Sequence, residues 1–137
     1  MSKFFLDTNI LLYTLDANDK SKQAKARKLI QTVTEQDILV ISTQVLQEFY
    51  VASTTKLGVE PLLAKNIMRS FENMEIVQIT PYLIGEAVDT SILNVISFWD
   101  SLIVVAAESA RCELLYSEDL NSGQIIRGVM IENPFSD

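Results

Sequence analysis

Apolar residues fall along this chain in two alternating patterns: short unbroken blocks, and longer stretches with helical spacing. The blocks "KFFL" (3–6), "DILVIS" (37–42), "EIVQIT" (75–80) and "CELLYS" (112–117) read as buried strands, with "VMIEN" (129–133) as a fifth, short one. Between them, "SKQAKARKLIQTVTE" (21–35) has an amphipathic helix pattern with Ala24, Ala26, Leu29, Ile30 and Val33 on its apolar side. Ser42 or Thr43 is placed to cap a helix over "QVLQEFYVASTT" (44–55), and Gly58 marks the break after it. Pro61 and Pro81 suit the first turns of two more helices, the second running to about Ile96. "DSLIVVAAESAR" (100–111) is apolar almost all round and predicts a buried helix.

Strands alternating with helices along the whole chain predict a single α/β domain over residues 1–137, with a mainly parallel sheet covered on both faces. In such sheets ligands bind beyond the carboxyl ends of the strands. The polar block Asp7, Thr8, Asn9 stands at such an end, directly after "KFFL". An ionised carboxylate buried there without a partner costs several kcal/mol, so Asp7 calls for a physical reason.

Three more acids fall near comparable ends. Glu48 lies on the helix after the second strand and borders its buried stripe, Asp100 is in the first turn of the most apolar helix, and Asp119 follows the fourth strand. Each has an ordinary alternative: Asp7 as the cap of a short helix starting around Ile10, Glu48 as a half-exposed helix acid, Asp100 as a partner of the helix dipole, Asp119 as a turn residue. Their joint placement on one rim is harder to explain that way. Two carboxylates about 5 Å apart repel by roughly 3 kcal/mol at an effective dielectric of about 20. Four together would exceed the stability of a typical domain unless some protonate or a cation binds. No basic residue adjoins any of the four in sequence.

Composition narrows the chemistry. The chain has no histidine and one cysteine, Cys112, which removes Ser-His and Cys-His nucleophile systems, intramolecular disulfides and any ordinary structural zinc site. Oxygen ligands alone select a hard cation, and Mg²⁺ or Mn²⁺ fits. The net charge of −7 opposes passive nucleic-acid binding, but a carboxylate-held cation can bridge an acidic protein to a phosphodiester. Basic residues are unevenly spread: Lys20, Lys22, Lys25, Arg27 and Lys28 fit either a solvated helix face or a phosphate-facing or partner-facing patch. No run approaches the roughly 20 apolar residues of a membrane span, and Asp7 would interrupt a signal peptide, so cytoplasm is the expected compartment.

The stretches "FLDTNILLY", "QEFY", "ISFWDSLIVVAA" and "LLYSEDLNSGQ", in this order and spacing, resemble the PIN-domain family, especially its VapC-type ribonuclease toxins from type II toxin–antitoxin modules. The resemblance runs from about residue 3 to about residue 135. It implies a three-layer α/β/α sandwich with about five sheet strands, a metal-dependent endoribonuclease activity, an RNA substrate, a cognate antitoxin and a homodimer. It maps an acidic tetrad onto Asp7, Glu48, Asp100 and Asp119, with Asp7 and Asp100 as direct ligands of Mg²⁺ or Mn²⁺. Glu48 and Asp119 would complete the pocket, one of them helping to activate water. Asn9 and Ser117 would hold these carboxylates by hydrogen bonds, and Glu118 is a further candidate ligand. The helical stretch 45–71 would offer a seat for an antitoxin or second subunit where it is not simply core.

Two other readings compete. A phosphatase using an aspartyl phosphate wants a second Asp two residues after the first, where this chain has Asn9. A degenerate domain that only binds a partner would be expected to have lost acids, and all four are present.

Overall fold

The computed structural model describes residues 1–136. Its strands are β1 (Lys3–Leu6), β2 (Ile38–Ser42), β3 (Glu75–Val77), β4 (Leu114–Tyr116), β5 (Ile125–Ile126) and β6 (Val129–Glu132). They form one sheet in the order β3-β2-β1-β4-β6-β5, parallel throughout except for the β5–β6 pair. The helices are α1 (Thr8–Tyr13), α2 (Lys20–Gln36), α3 (Thr43–Thr55), α4 (Pro61–Ser70), α5 (Pro81–Asn94) and α6 (Phe98–Ser109).

Neighbouring strand residues point to opposite faces of a sheet. Phe5 and Leu6, and Val40 and Ile41, are all fully buried, so both faces are covered and the expected three-layer α/β/α arrangement holds. The continuous apolar blocks follow from this, since no strand face is left for water. Helix α6 packs on β2, β4 and β6 and α5 packs on α6, while α3 packs against α1 and α4. Every residue from Ser101 to Ala107 is buried, as its all-round apolar pattern predicts. No single helix among the described residues is long and apolar enough to cross a membrane, and α5 and α6 meet at 117°.

Local chemistry sets the element ends. Ser42 caps α3 by accepting from Val45 N at 3.3 Å, and Pro61 and Pro81 sit in the first turns of α4 and α5. Two expectations need correction. Ala24 is exposed; Ala26 and Val33 form the buried stripe of α2, with Leu29 and Ile30 half-buried beside it. The sheet also has a sixth strand, β5, whose two residues are too few to carry a period. It turns back into β6 through Arg127 and Gly128, both at positive φ (52° and 81°), the geometry of a tight hairpin turn.

Arg127 holds that hairpin against the helices. Its guanidinium donates to Glu108 Oε1 (2.8 Å) on α6 and to Thr90 Oγ1 (3.0 Å) and Glu86 Oε1 (2.9 Å) on α5. Three charge-assisted bonds at one partly buried side chain should outweigh an ordinary surface pair. Arg127→Ala is expected to lower the unfolding free energy by about 1–3 kcal/mol, read from the urea midpoint, and Lys should not restore it.

Candidate metal centre

Three elements deliver carboxylates to one rim because parallel strands end on the same side. Asp7 follows β1 and sits in extended backbone as the cap of α1, its Oδ1 accepting from Thr8 N at 2.7 Å. The helix begins at Thr8 rather than near Ile10, so the capping role and membership of the acid cluster coexist. Asp100 lies in the first turn of α6, its N–H bonded to Ser97 Oγ at 3.0 Å. Asp119 lies just beyond β4. One carboxylate oxygen from each of Asp7, Asp100 and Asp119 lies within 4.8 Å of the others.

Buried Ser117 ties the first and last acids together. Its hydroxyl donates to Asp7 Oδ2 at 2.9 Å and accepts from Asp119 N at 3.2 Å. Asn9 Nδ2 donates to both oxygens of Asp119, at 3.2 and 3.3 Å. Both residues thus hydrogen-bond to carboxylates of the rim.

Glu48 stands beside this trio. Its carboxylate accepts from Thr8 Oγ1 at 2.6 Å and from Gln44 Nε2 at 3.3 Å. Glu118 turns elsewhere: Lys22 and Tyr13 hydrogen-bond to it, the Tyr13 hydroxyl at 2.7 Å. Burial works to raise the Glu118 pKa, but those two donors hold it below the usual carboxylate range. Lys22, one of the five clustered basic residues, is thereby paired within the chain, and Arg27 Nε donates to the Thr14 carbonyl at 2.9 Å.

Electrostatics marks Asp7 and Asp119 as unsatisfied. Asp7 is only 5% exposed, and its pKa is pushed up from 3.8 to about 7. Burial is the main cause, with Asp119 and Glu48 adding to it against the hydrogen bonds from Ser117 and Thr8. Asp119 is also raised, by burial and then by Asp100, Glu118 and Glu48, with Lys56 opposing. Lys56, eight residues beyond Glu48, lines the same cleft, as do Gln44 and Trp99. Trp99 adjoins Asp100 in sequence, and for Gln44 and Lys56 the available signal was their spacing of four and eight residues from Glu48 along a helix. The cleft has a volume of about 550 Å³ and opens to solvent. Its all-oxygen donor set fits a hard divalent cation and offers no nitrogen or sulfur ligand.

The stretch 45–71 is divided. Val45, Phe49, Ala64 and Phe71 are core, while Val51, Leu62 and Leu63 are exposed.

Comparison with curated protein sequences returns no match. Among solved structures, the chain is similar to VapBC2 from Rickettsia felis, at 17% identity and a TM-score of 0.70 over 96% of this chain and 98% of that one. It is similar to VapC20 of Mycobacterium tuberculosis, described as a toxin cleaving the sarcin-ricin loop, at 17% identity and 0.69 over 85% and 89%. VapBC of Salmonella typhimurium matches at 21% identity and 0.69 over 98% and 99%. At these identities the likeness concerns the fold. The PIN domain family model matches residues 4–125, a span that holds all four rim acids together with Asn9 and Ser117. The chain therefore belongs to the PIN domain family.

Proposed function

We propose that this chain is a Mg²⁺- or Mn²⁺-dependent endoribonuclease and the toxin of a toxin–antitoxin pair. At the level of the family, a PIN domain with toxin structures among its fold neighbours supports a ribonuclease toxin. The observation that carries the reading here is the trio Asp7, Asp100 and Asp119, gathered within 4.8 Å in an open cleft with the Asp7 carboxyl raised to about 7. Such a group is arranged for a cation.

Asp7, Asp100 and Asp119 would hold the ion. Bound there, a divalent cation supplies Lewis-acid polarisation of a phosphodiester oxygen and of a water. Ser117 and Asn9 fix the two carboxylates that they touch, and such supporting contacts affect metal affinity. Glu48, held by Thr8 and Gln44 beside the trio, takes the proton of the attacking water in this reading. RNA is the substrate, an antitoxin and a second copy are the protein partners, and cytoplasm is the compartment. Exposed Tyr82, Ile92 and Leu93 on α5 and Val95 just after it support a protein-covered face.

The test is metal removal. Purified protein with structured RNA should cleave in Mg²⁺ or Mn²⁺, stop on chelation by EDTA, and recover when the ion is restored. Cleavage that persists in chelator would sink the reading. Metal binding without cleavage would favour a partner-binding domain.

A further inference from the structure

One aromatic residue lines the cleft beside the acids. Trp99, the only tryptophan in the chain, borders the cleft next to Asp100 and keeps 62% of its surface exposed. Tryptophan is on average a highly buried residue, so a solvent-facing indole at the mouth of a polar site calls for a partner. Its support is rigid. The Trp99 carbonyl accepts from Gln44 Nε2 at 3.2 Å, and the same buried amide donates to Glu48. Ser97 caps the helix at the adjacent Asp100, and the Phe98 ring meets the indole edge-on at 5.2 Å and 75°. The backbone that carries the ring is thereby fixed, which limits the freedom lost when something stacks on it.

Charge then decides what the partner is. Lys56 is the one cation among the residues lining the cleft, against the carboxylates Asp7, Glu48, Asp100 and Asp119. Side chains here cannot gather a polyanion by neutralising its phosphates, the usual source of nucleic-acid affinity. Apart from the cation, binding must therefore draw on the uncharged part of the nucleotide. A base offers a π-face, and stacking on an aromatic side chain tolerates any sequence.

We propose that Trp99 is a stacking platform for an unpaired RNA base next to the scissile phosphate, with Lys56 contacting a flanking phosphate. This rests on the ribonuclease reading and assigns the contact with an unpaired base to one named side chain. A base inside a duplex has no free face to offer.

Because Trp99 is the sole tryptophan, its emission reports on the site directly. An unstructured adenine-rich RNA strand is titrated into the wild-type protein, and the same strand is titrated as a duplex. Cleavage of the single strand in Mg²⁺ is followed for the wild type, Trp99→Ala and Trp99→Phe. The single strand should change the emission and the duplex should not. Trp99→Ala should raise KM by roughly 5- to 150-fold with kcat little changed, and Trp99→Phe should keep most of the affinity. Active wild type with an unchanged KM in Trp99→Ala overturns the stacking role and leaves the ribonuclease reading standing. Emission that follows protein concentration alone, with a changed oligomeric state in Trp99→Ala, overturns it in favour of a contact between subunits. Wild type that neither binds nor cleaves either RNA overturns both readings.

Discussion

An Asp7→Asn variant is expected to lose activity and gain stability at the same time. The substitution keeps the shape, and the new amide can still accept from Thr8 N and meet Ser117. It removes the charge that a cation would bind. RNA cleavage should fall by about 100-fold or more, the several kcal/mol that a bound ion contributes to the transition state. The metal-free variant should be more stable than wild type at pH 8 by about 1–4 kcal/mol, because an ionised carboxylate has been taken out of a buried acidic cluster. Denaturant midpoints at pH 8, beside a cleavage assay, measure both. Lower activity with unchanged stability would mean that Asp7 carries no burial penalty. Unchanged activity would remove it from the metal centre.

The same carboxyl makes metal-free stability depend on pH in an unusual direction for an acid. Its pKa is about 7 in the folded protein against an ordinary value of 3.8, so between these values the native state holds a proton that the unfolded state has released. The Asp7 contribution is fully present below about pH 4 and is lost as pH rises through 7. Just over three units correspond to at most about 4 kcal/mol, or on the order of 10 °C in Tm for a domain of this size. Asp119, shifted in the same direction, adds to the effect. Metal-free protein should therefore melt lower at pH 8 than at pH 5, and Mn²⁺ should reverse the loss at pH 8 by binding only the folded state. A flat profile in Asp7→Asn would assign the effect to this residue.

Much of this site is legible in the sequence. Asp7 stands out because a carboxylate directly follows a buried strand, and Asp100 because it opens a helix that is otherwise apolar. Strand alternation put their ends on one rim, as the parallel pairing of β1 with β2 and β4 bears out. What stayed hidden depends on contacts between distant segments. Thr8 reaches Glu48 across 40 residues, and Glu118 meets Lys22 across 96, so no local pattern marks either pair. Glu48 shows the limit well: its helix position says that it borders the core, not that Thr8 and Gln44 will hold it beside the other three acids. Ala24 faces solvent despite its apolar spacing because alanine suits either face of a helix, whereas Ala26 and Val33 are fixed by the sheet beneath them.

The order of strands has a consequence for when this centre comes into being. Asp7 leaves the ribosome 110 residues ahead of its hydroxyl partner Ser117, which directly follows the strand that must slot in beside β1. Such long-range pairing is slow to form and waits for the whole intervening chain. Until β4 is released, the acid rim lacks Ser117 and Asp119 and its first carboxylate has no scaffold. A growing polypeptide of this design carries its first acid long before its last and completes the cluster only once the segment after β4 has been released.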